Sequence, residues 1–245
     1  MIARFLLTLY LLMSASSAWA AIAEVGAGSQ RATQIKQTSN SAGLAFPGNV
    51  TAGDLLLVAG MMYNAGGPPA SVTVTDSVST TYGTKICTAV DTNGSPFIAY
   101  GIAPSSGANT VTVNPPNASD TFGWSQDEFS GTHTSAPLDV DGGNTTGSGT
   151  TASDDITTGT ANALVVGLIG SGSADTHTAG SGYTKFGNDA AALTNFDAQF
   201  QVVTTATSYT VNWTSTFNNW TACTISFKVP TAAATRRPVA PLVLQ

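Results

Sequence analysis

Asp127 and Glu128 stand side by side in the run Trp124-Ser125-Gln126-Asp127-Glu128-Phe129. Glycoside hydrolysis needs two carboxylates converging across a cleft of about 5–10 Å. Neighbours on a strand point to opposite faces, so these two cannot flank one glycosidic bond. Glu128 would need a partner from another strand, such as Asp54 or Asp76, and the sequence selects neither; a solvated strand end is the expectation. Asp139, Asp141 and Asn144, in Asp139-Val140-Asp141-Gly142-Gly143-Asn144, have the alternating oxygen ligands and glycine turn of a calcium loop. The helical calcium loop also wants a glutamate at its twelfth position, which is Thr150 here. A calcium site between strands and a plain Asp/Gly turn are the two readings left. No other cofactor is implied.

His133 and His177 are the only histidines. A Ser–His–Asp triad would draw on Ser125, but Gly123-Trp124-Ser125-Gln126-Asp127 lacks the second glycine of a nucleophile elbow and lies within a strand. The aromatics are better candidates, for binding. Trp220 falls opposite the face of Cys223, Ile225 and Phe227, which alternation turns outward, and Trp124 shares a face with Gln126. Exposed indoles beside amides can stack on sugar rings while the amides take hydroxyls, so Trp220, Trp124 and Gln126 form the expected glycan-binding set. Core packing is the competing reading for each ring.

The elements that must carry these groups are strands. Apolar runs are short, rich in Val, Ile, Thr, Phe and Tyr, and broken by turn signals such as Ala65-Gly66-Gly67-Pro68-Pro69, Asn93-Gly94, Pro115-Pro116-Asn117 and Asp141-Gly142-Gly143-Asn144. Strands are expected at 21–26, 54–62, 71–76, 83–90, 96–102, 109–114, 120–129, 153–158, 162–170, 182–186, 196–204, 208–214 and 219–229. The two halves of the chain read alike. Asp54-Leu55-Leu56-Leu57-Val58-Ala59-Gly60 matches Asn162-Ala163-Leu164-Val165-Val166-Gly167-Leu168, and Thr110-Val111-Thr112-Val113 matches Thr210-Val211-Asn212-Trp213. The fold class is therefore all-β: a two-sheet antiparallel β-sandwich of jelly-roll or lectin type, built by internal duplication with repeats at about 50–131 and 158–229. One sandwich domain is expected over 21–229. Leu55 to Val58 and Ala163 to Ile169 are apolar at consecutive positions, a pattern that wants cover on both faces. Loops of the same chain are the expected cover, with a partner chain as the alternative.

Composition sets the compartment and limits the partners. Residues 1–20 carry Arg4, an apolar run from Phe5 to Met13 and the exit Ala18-Trp19-Ala20, the pattern of a secretory signal peptide. Residues 230–245, Ala- and Pro-rich, read as a flexible tail. Losing Arg4 with the leader removes one of 8 basic residues and none of the 14 acidic ones, moving the net charge from −6 to −7. Charged residues are only 9% of the chain, so the polar surface is built from Thr, Ser, Asn and Gly. Such a surface offers no foothold to nucleic acid. No segment after the leader is apolar over the length a membrane span requires. A neutral glycan or surface component suits it better, and self-association stays open. Cys87 and Cys223 have two readings. Paired, they fit an oxidising compartment; unpaired, Cys87 turns outward because Ile86 and Val90 claim the inner face.

The run Val-Thr-Ala-Gly-Asp-Leu-Leu-Leu-Val-Ala-Gly from Val50, Val-Thr-Val-Thr-Asp-Ser from Val72, Gly-Ala-Asn-Thr-Val-Thr-Val from Gly107 and Asp-Glu-Phe-Ser-Gly from Asp127, with Pro-Leu-Asp at Pro137 to Asp139, resembles a group of secreted bacterial and phage-associated β-sandwich proteins, mostly uncharacterised. The resemblance covers most of 22–229 and implies a fold; it supplies no functional residue. The leading expectation is a secreted, periplasmic or cell-surface module that binds or adheres without catalysis, its ligand a glycan or matrix component. The alternatives are a glycoside hydrolase or polysaccharide lyase on the same scaffold, and a subunit of an extracellular assembly.

Overall fold

The computed structural model describes residues 21–230, apart from 40, 91, 92, 217 and 218. The leader at 1–20 and nearly all of the tail lie outside the described residues. β4 (Leu55–Tyr63) and β12 (Ala163–Ser171) explain the architecture. Every residue of both, Tyr63 excepted, is buried. Alternation divides β4 between two interiors: Leu55, Leu57, Ala59 and Met61 enter one core, while Leu56, Val58 and Met62 enter another. A strand with two apolar faces must sit in an inner layer.

The first inner sheet runs β9–β4–β7–β6, with β9 at Thr121–Ser130, β7 at Gly94–Ile102 and β6 at Gly83–Ile86. The far edge of β9 is shared by β1 (Ala23–Glu24) and β2 (Ala32–Thr38), which are separated by a tight turn at Val25–Gly28. A three-stranded sheet of β3 (Ala42–Val50), β8 (Gly107–Asn114) and β5 (Thr73–Asp76) backs it. The second half repeats the pairing order. Its inner sheet is β10–β17–β12–β15–β14, at Leu138–Gly147, Trp220–Lys228, Ala163–Ser171, Asn195–Val203 and Thr184–Asp189. Its outer sheet is β11 (Thr151–Thr157), β16 (Ser208–Ser215) and β13 (His177–Ala179). All pairings are antiparallel.

The molecule is thus four open sheets in layers, outer–inner–inner–outer, with three apolar cores between them. The expected pair of facing sheets corresponds to the two inner layers. What covers their backs is not loop but a further sheet in each half. Two glycines make room beside tryptophan, Gly60 against the neighbouring strand of its own sheet and Gly167 against the outer sheet. A Cβ on Gly60 would meet the Gly123 carbonyl at 2.2 Å and Trp124 Cβ at 2.8 Å, and one on Gly167 would meet Val211 at 2.4 Å and Trp213 at 2.8 Å.

Contacts between the halves come in two corresponding places. Lys85 on β6 reaches Asp141 and donates to the Gly142 carbonyl at 2.6 Å on β10. Asp189 on β14 accepts the Lys36 backbone N–H on β2 at 3.2 Å. Between them Cys87 and Cys223 form a disulfide across the central core, 136 residues apart in sequence, so Cys87 faces inward and is not turned out to solvent. Ile86 and Cys87 both find apolar surroundings because each side of this segment meets a core. Among the described residues no helix is long and apolar enough to cross a membrane.

A cross-link closing so long a loop should contribute about 2–5 kcal/mol. The double variant Cys87→Ser/Cys223→Ser is expected to lose that much in guanidinium unfolding of the folded protein. An unchanged midpoint would show that the disulfide adds nothing to the union of the halves.

Candidate functional site

The residues expected to bind sugar are packing residues. Trp220 is 6% exposed in the core between β11, β12, β16 and β17, and its indole N–H donates to the Gly149 carbonyl at 3.1 Å. Trp124 is fully buried, stacked on Phe122 with ring centroids 5.8 Å apart. Gln126, also fully buried, donates from Nε2 to the Leu44 carbonyl on β3 at 3.2 Å. The outward placement of Trp220 is corrected for one reason: both faces of β17 are covered, so alternation separates two interiors and does not separate inside from outside.

The calcium set is corrected similarly. Asp139, Asp141 and Asn144 lie on β10, a continuous strand with register shifts at 138–140 and 141–144, and not in a turn. Gly142 is required there by close approach, since a Cβ would meet Thr224 Oγ1 at 2.3 Å. Asp139 Oδ2 accepts the backbone N–H of Gly159 at 2.8 Å and of Thr160 at 3.3 Å. Asp141 takes the Lys85 ammonium, and Asn144 is exposed. The three do not converge, and among the described residues no group of three His, Cys, Asp or Glu side chains is arranged to hold a metal. Nor is there a triad. Ser125 pairs with the Thr33 hydroxyl at 2.7 Å, while His133 Nδ1 accepts the Ala136 N–H at 3.2 Å.

Asp127 and Glu128 are not a solvated strand end; both are fully buried. Asp127 points into the central junction beside Arg31, at 3.3 Å, and burial followed by its contact with Glu24 pushes its acid up. Glu128 points the other way. Its Oε1 accepts the Thr51 N–H at 2.6 Å and its Oε2 accepts Gln30 Nε2 at 3.0 Å. The partner that sequence could not choose is Asp54. Burial, then the Glu128 charge and the protonated acid's donation to that carboxylate, raise Asp54 to about 7.

Asp54 borders a depression beside the connection from β9 to β10. A 250 Å³ cavity is lined by Ala52, Gly53, Asp54, Gly131, Thr132, Thr134 and Pro230. A neighbouring 310 Å³ cavity, lined by Ser79, Thr81, Gly83, Tyr100, Gly101, Ile102, Pro104, Thr134, Ser135 and Pro137, shares Thr134 with it. Together they make a groove along the connection from β9 to β10. Its walls are hydroxyls and backbone, Asp54 is its single ionisable carboxyl, and Tyr100 gives it an aromatic patch. Tyr100 is held edge-on to Phe227 with centroids 5.0 Å apart; burial, then the Asp141 charge, raise its phenol. Sequence reasoning missed this groove because its residues come from five separate stretches, each reading as an ordinary turn or strand end.

A second cluster lies within the other half. Asp175 accepts the Ser215 hydroxyl at 2.5 Å and lies 3.0 Å from His177 Nε2. Burial, against the pull of Asp175, brings His177 down to about 4, so the ring is neutral at pH 7. Burial raises Asp175, but the Ser215 and Thr216 donors outweigh it and leave that acid lowered. The serine hydroxyl sits on the carboxylate, not on the imidazole, so this trio is not a nucleophile with its base. Lys185 and Asp197 adjoin it, around a cavity of 40 Å³.

Comparison with known protein families, curated proteins and solved structures finds no match for this chain. By architecture the chain is an open, four-layered, disulfide-linked antiparallel β protein with a weakly charged groove along the connection between its halves.

An aspartic acid raised in the folded state from 3.8 to about 7 binds its proton more tightly there, so its contribution to stability falls as pH rises through that interval. Asp54→Asn cannot ionise. Its melting temperature relative to the parent is expected to improve steadily from pH 4 to pH 8. A difference independent of pH would remove the proton from the Asp54–Glu128 pair.

Proposed function

We propose that the chain is an extracellular, non-catalytic module that binds a neutral glycan or matrix component in the groove along the connection from β9 to β10. The groove's lining carries the reading. Hydroxyls of Ser79, Thr81, Thr134 and Ser135, together with the Tyr100 ring, present hydrogen-bonding and stacking groups with little charge. Neutral sugars are recognised by that combination of an apolar face and placed hydroxyls. The volumes, 310 and 250 Å³, accommodate a short stretch of a saccharide chain. The signal-peptide pattern at 1–20 and the disulfide support an oxidising, extracytoplasmic setting. Asp54 and Glu128 lie close enough for the Glu128 charge to raise the Asp54 acid, whereas glycoside hydrolysis holds its carboxyls about 5 Å or more apart with the sugar between them. That pairing favours binding over cleavage.

Thr134 is exposed and borders both cavities, so Thr134→Arg fills the groove without touching a core. Retention on an immobilised neutral polysaccharide that binds the parent should drop at least about tenfold, or about 1.4 kcal/mol. Stability should stay within about 0.5 kcal/mol. Trp220→Ala should do the reverse, costing about 3–5 kcal/mol of stability while its folded form still binds. Undiminished retention by Thr134→Arg, or no retention of the parent on any of a panel of neutral polysaccharides, would refute the groove as the binding site.

A further inference from the structure

We propose that the Lys185 ε-amine and the Asp197 carboxyl condense into an intramolecular amide that cross-links β14 to β15. The placement comes from sheet register. Lys185 stands opposite Gln199 and Asp197 opposite Asn188, with a register shift between Lys185 and Gly187 that brings the lysine beside Asp197 on one face. Long side chains at such diagonal positions reach each other. Lys185 Nζ is in contact with Asp197 Oδ2.

Three observations favour the amide over a lasting ion pair. The Asp197 side chain is 1% exposed, and neither of its oxygens makes a hydrogen bond of normal geometry. A buried carboxylate met only by the Lys185 ammonium and the Trp213 indole N–H is costly, and conversion to an amide removes the charge. The surroundings already suit the product. Lys185 Nζ donates to the His177 carbonyl at 2.9 Å, a bond the single amide N–H would keep. The buried Trp213 indole N–H lies against the Asp197 carboxyl, and the amide oxygen of the product would still accept from it. Third, the 40 Å³ cavity lined by Lys185, Asp197, His177 and Asp175 has room for one water, whose share of the liquid is about 30 Å³.

The step balances without any other reactant. A proton passes from the ammonium to the carboxylate, and the amine lone pair forms the C–N bond at the Asp197 carbonyl carbon. The carbon–hydroxyl bond then breaks, the hydroxyl leaving as water with a proton from the nitrogen. Burial lifts the Asp197 acid to about 7 against the pull of Lys185, which populates the neutral acid the attack requires. His177, neutral and lining the same cavity, is the group in place to carry protons. Fixed approach of the two groups supplies the rest of the driving geometry. The corresponding lysine of the first half provides a contrast. Lys85 meets Asp141, but that carboxylate is 61% exposed and well solvated, so this pair stays ionic.

The intact mass of the secreted, reduced protein decides the matter. It should be one water below the mass of its sequence. Trypsin should fail to cut after Lys185, and fragment ions should join Lys185 to Asp197. Lys185→Arg, which keeps a cation beside Asp197, should show the full mass and be cut at 185. A parent protein at full mass, or a water loss that persists in Lys185→Arg through cyclisation elsewhere, would overturn the proposal.

Discussion

Everything in this fold depends on burying two strands on both sides. β4 and β12 carry apolar residues at consecutive positions, and no two-layer sandwich can shelter both of their faces. Each half answers with a three-stranded outer sheet on one side and the other half's inner sheet on the other. The central core is therefore common property: Leu57, Met61 and Phe129 come from one half and Val166, Phe200 and Phe227 from the other. Neither inner sheet is complete without its counterpart.

That shared core dictates where polar groups must be managed. The rims of the inner sheets meet at corresponding places, β6 against β10 and β14 against β2, and each contact is an ionic or backbone-to-carboxylate bond. Arg31 follows the same logic. It stands between Glu24 and Asp127 of its own half and lies over the Phe200 ring of the other, 5.8 Å from its centroid. The groove is what remains where the connection from β9 to β10 passes over this junction.

The all-β class, the duplicated pattern and the double-faced strands were legible in the residues. That the strands at 71–76, 109–114, 153–158 and 208–214 form separate outer sheets was not, and neither were β3, β2 and β10. β3, in an outer sheet, contains Gly43, Pro47 and Gly48 and exposes most of its length, while β2 and β10, at the edges of the inner sheets, carry polar Gln34, Lys36 and Gln37 and the pair Gly142-Gly143; each reads as loop or turn. Missing those strands misplaced the functional candidates. Alternation along β17 correctly grouped Cys223, Ile225 and Phe227, then sent Trp220 outward for want of a second core. The same omission turned Cys87 to solvent. Asp54 could not be matched to Glu128 because their meeting depends on the register of β4 against β9, Leu56 opposite Glu128, which composition does not encode.

The scarcity of charge has a consequence for resistance to proteolysis. Proteases that cut after basic residues need an extended, unpaired segment around the cation. Among the described residues the basic positions are Arg31, Lys36, Lys85, Lys185 and Lys228, and all but Arg31 lie within hydrogen-bonded strands. Arg31 precedes β2 directly, with its own N–H tied to the Gly28 carbonyl. Cleavage at any of them requires the sheet to open first. Over the described residues, a surface written in threonine, serine and glycine thus leaves such enzymes almost nothing to hold while the fold stays closed.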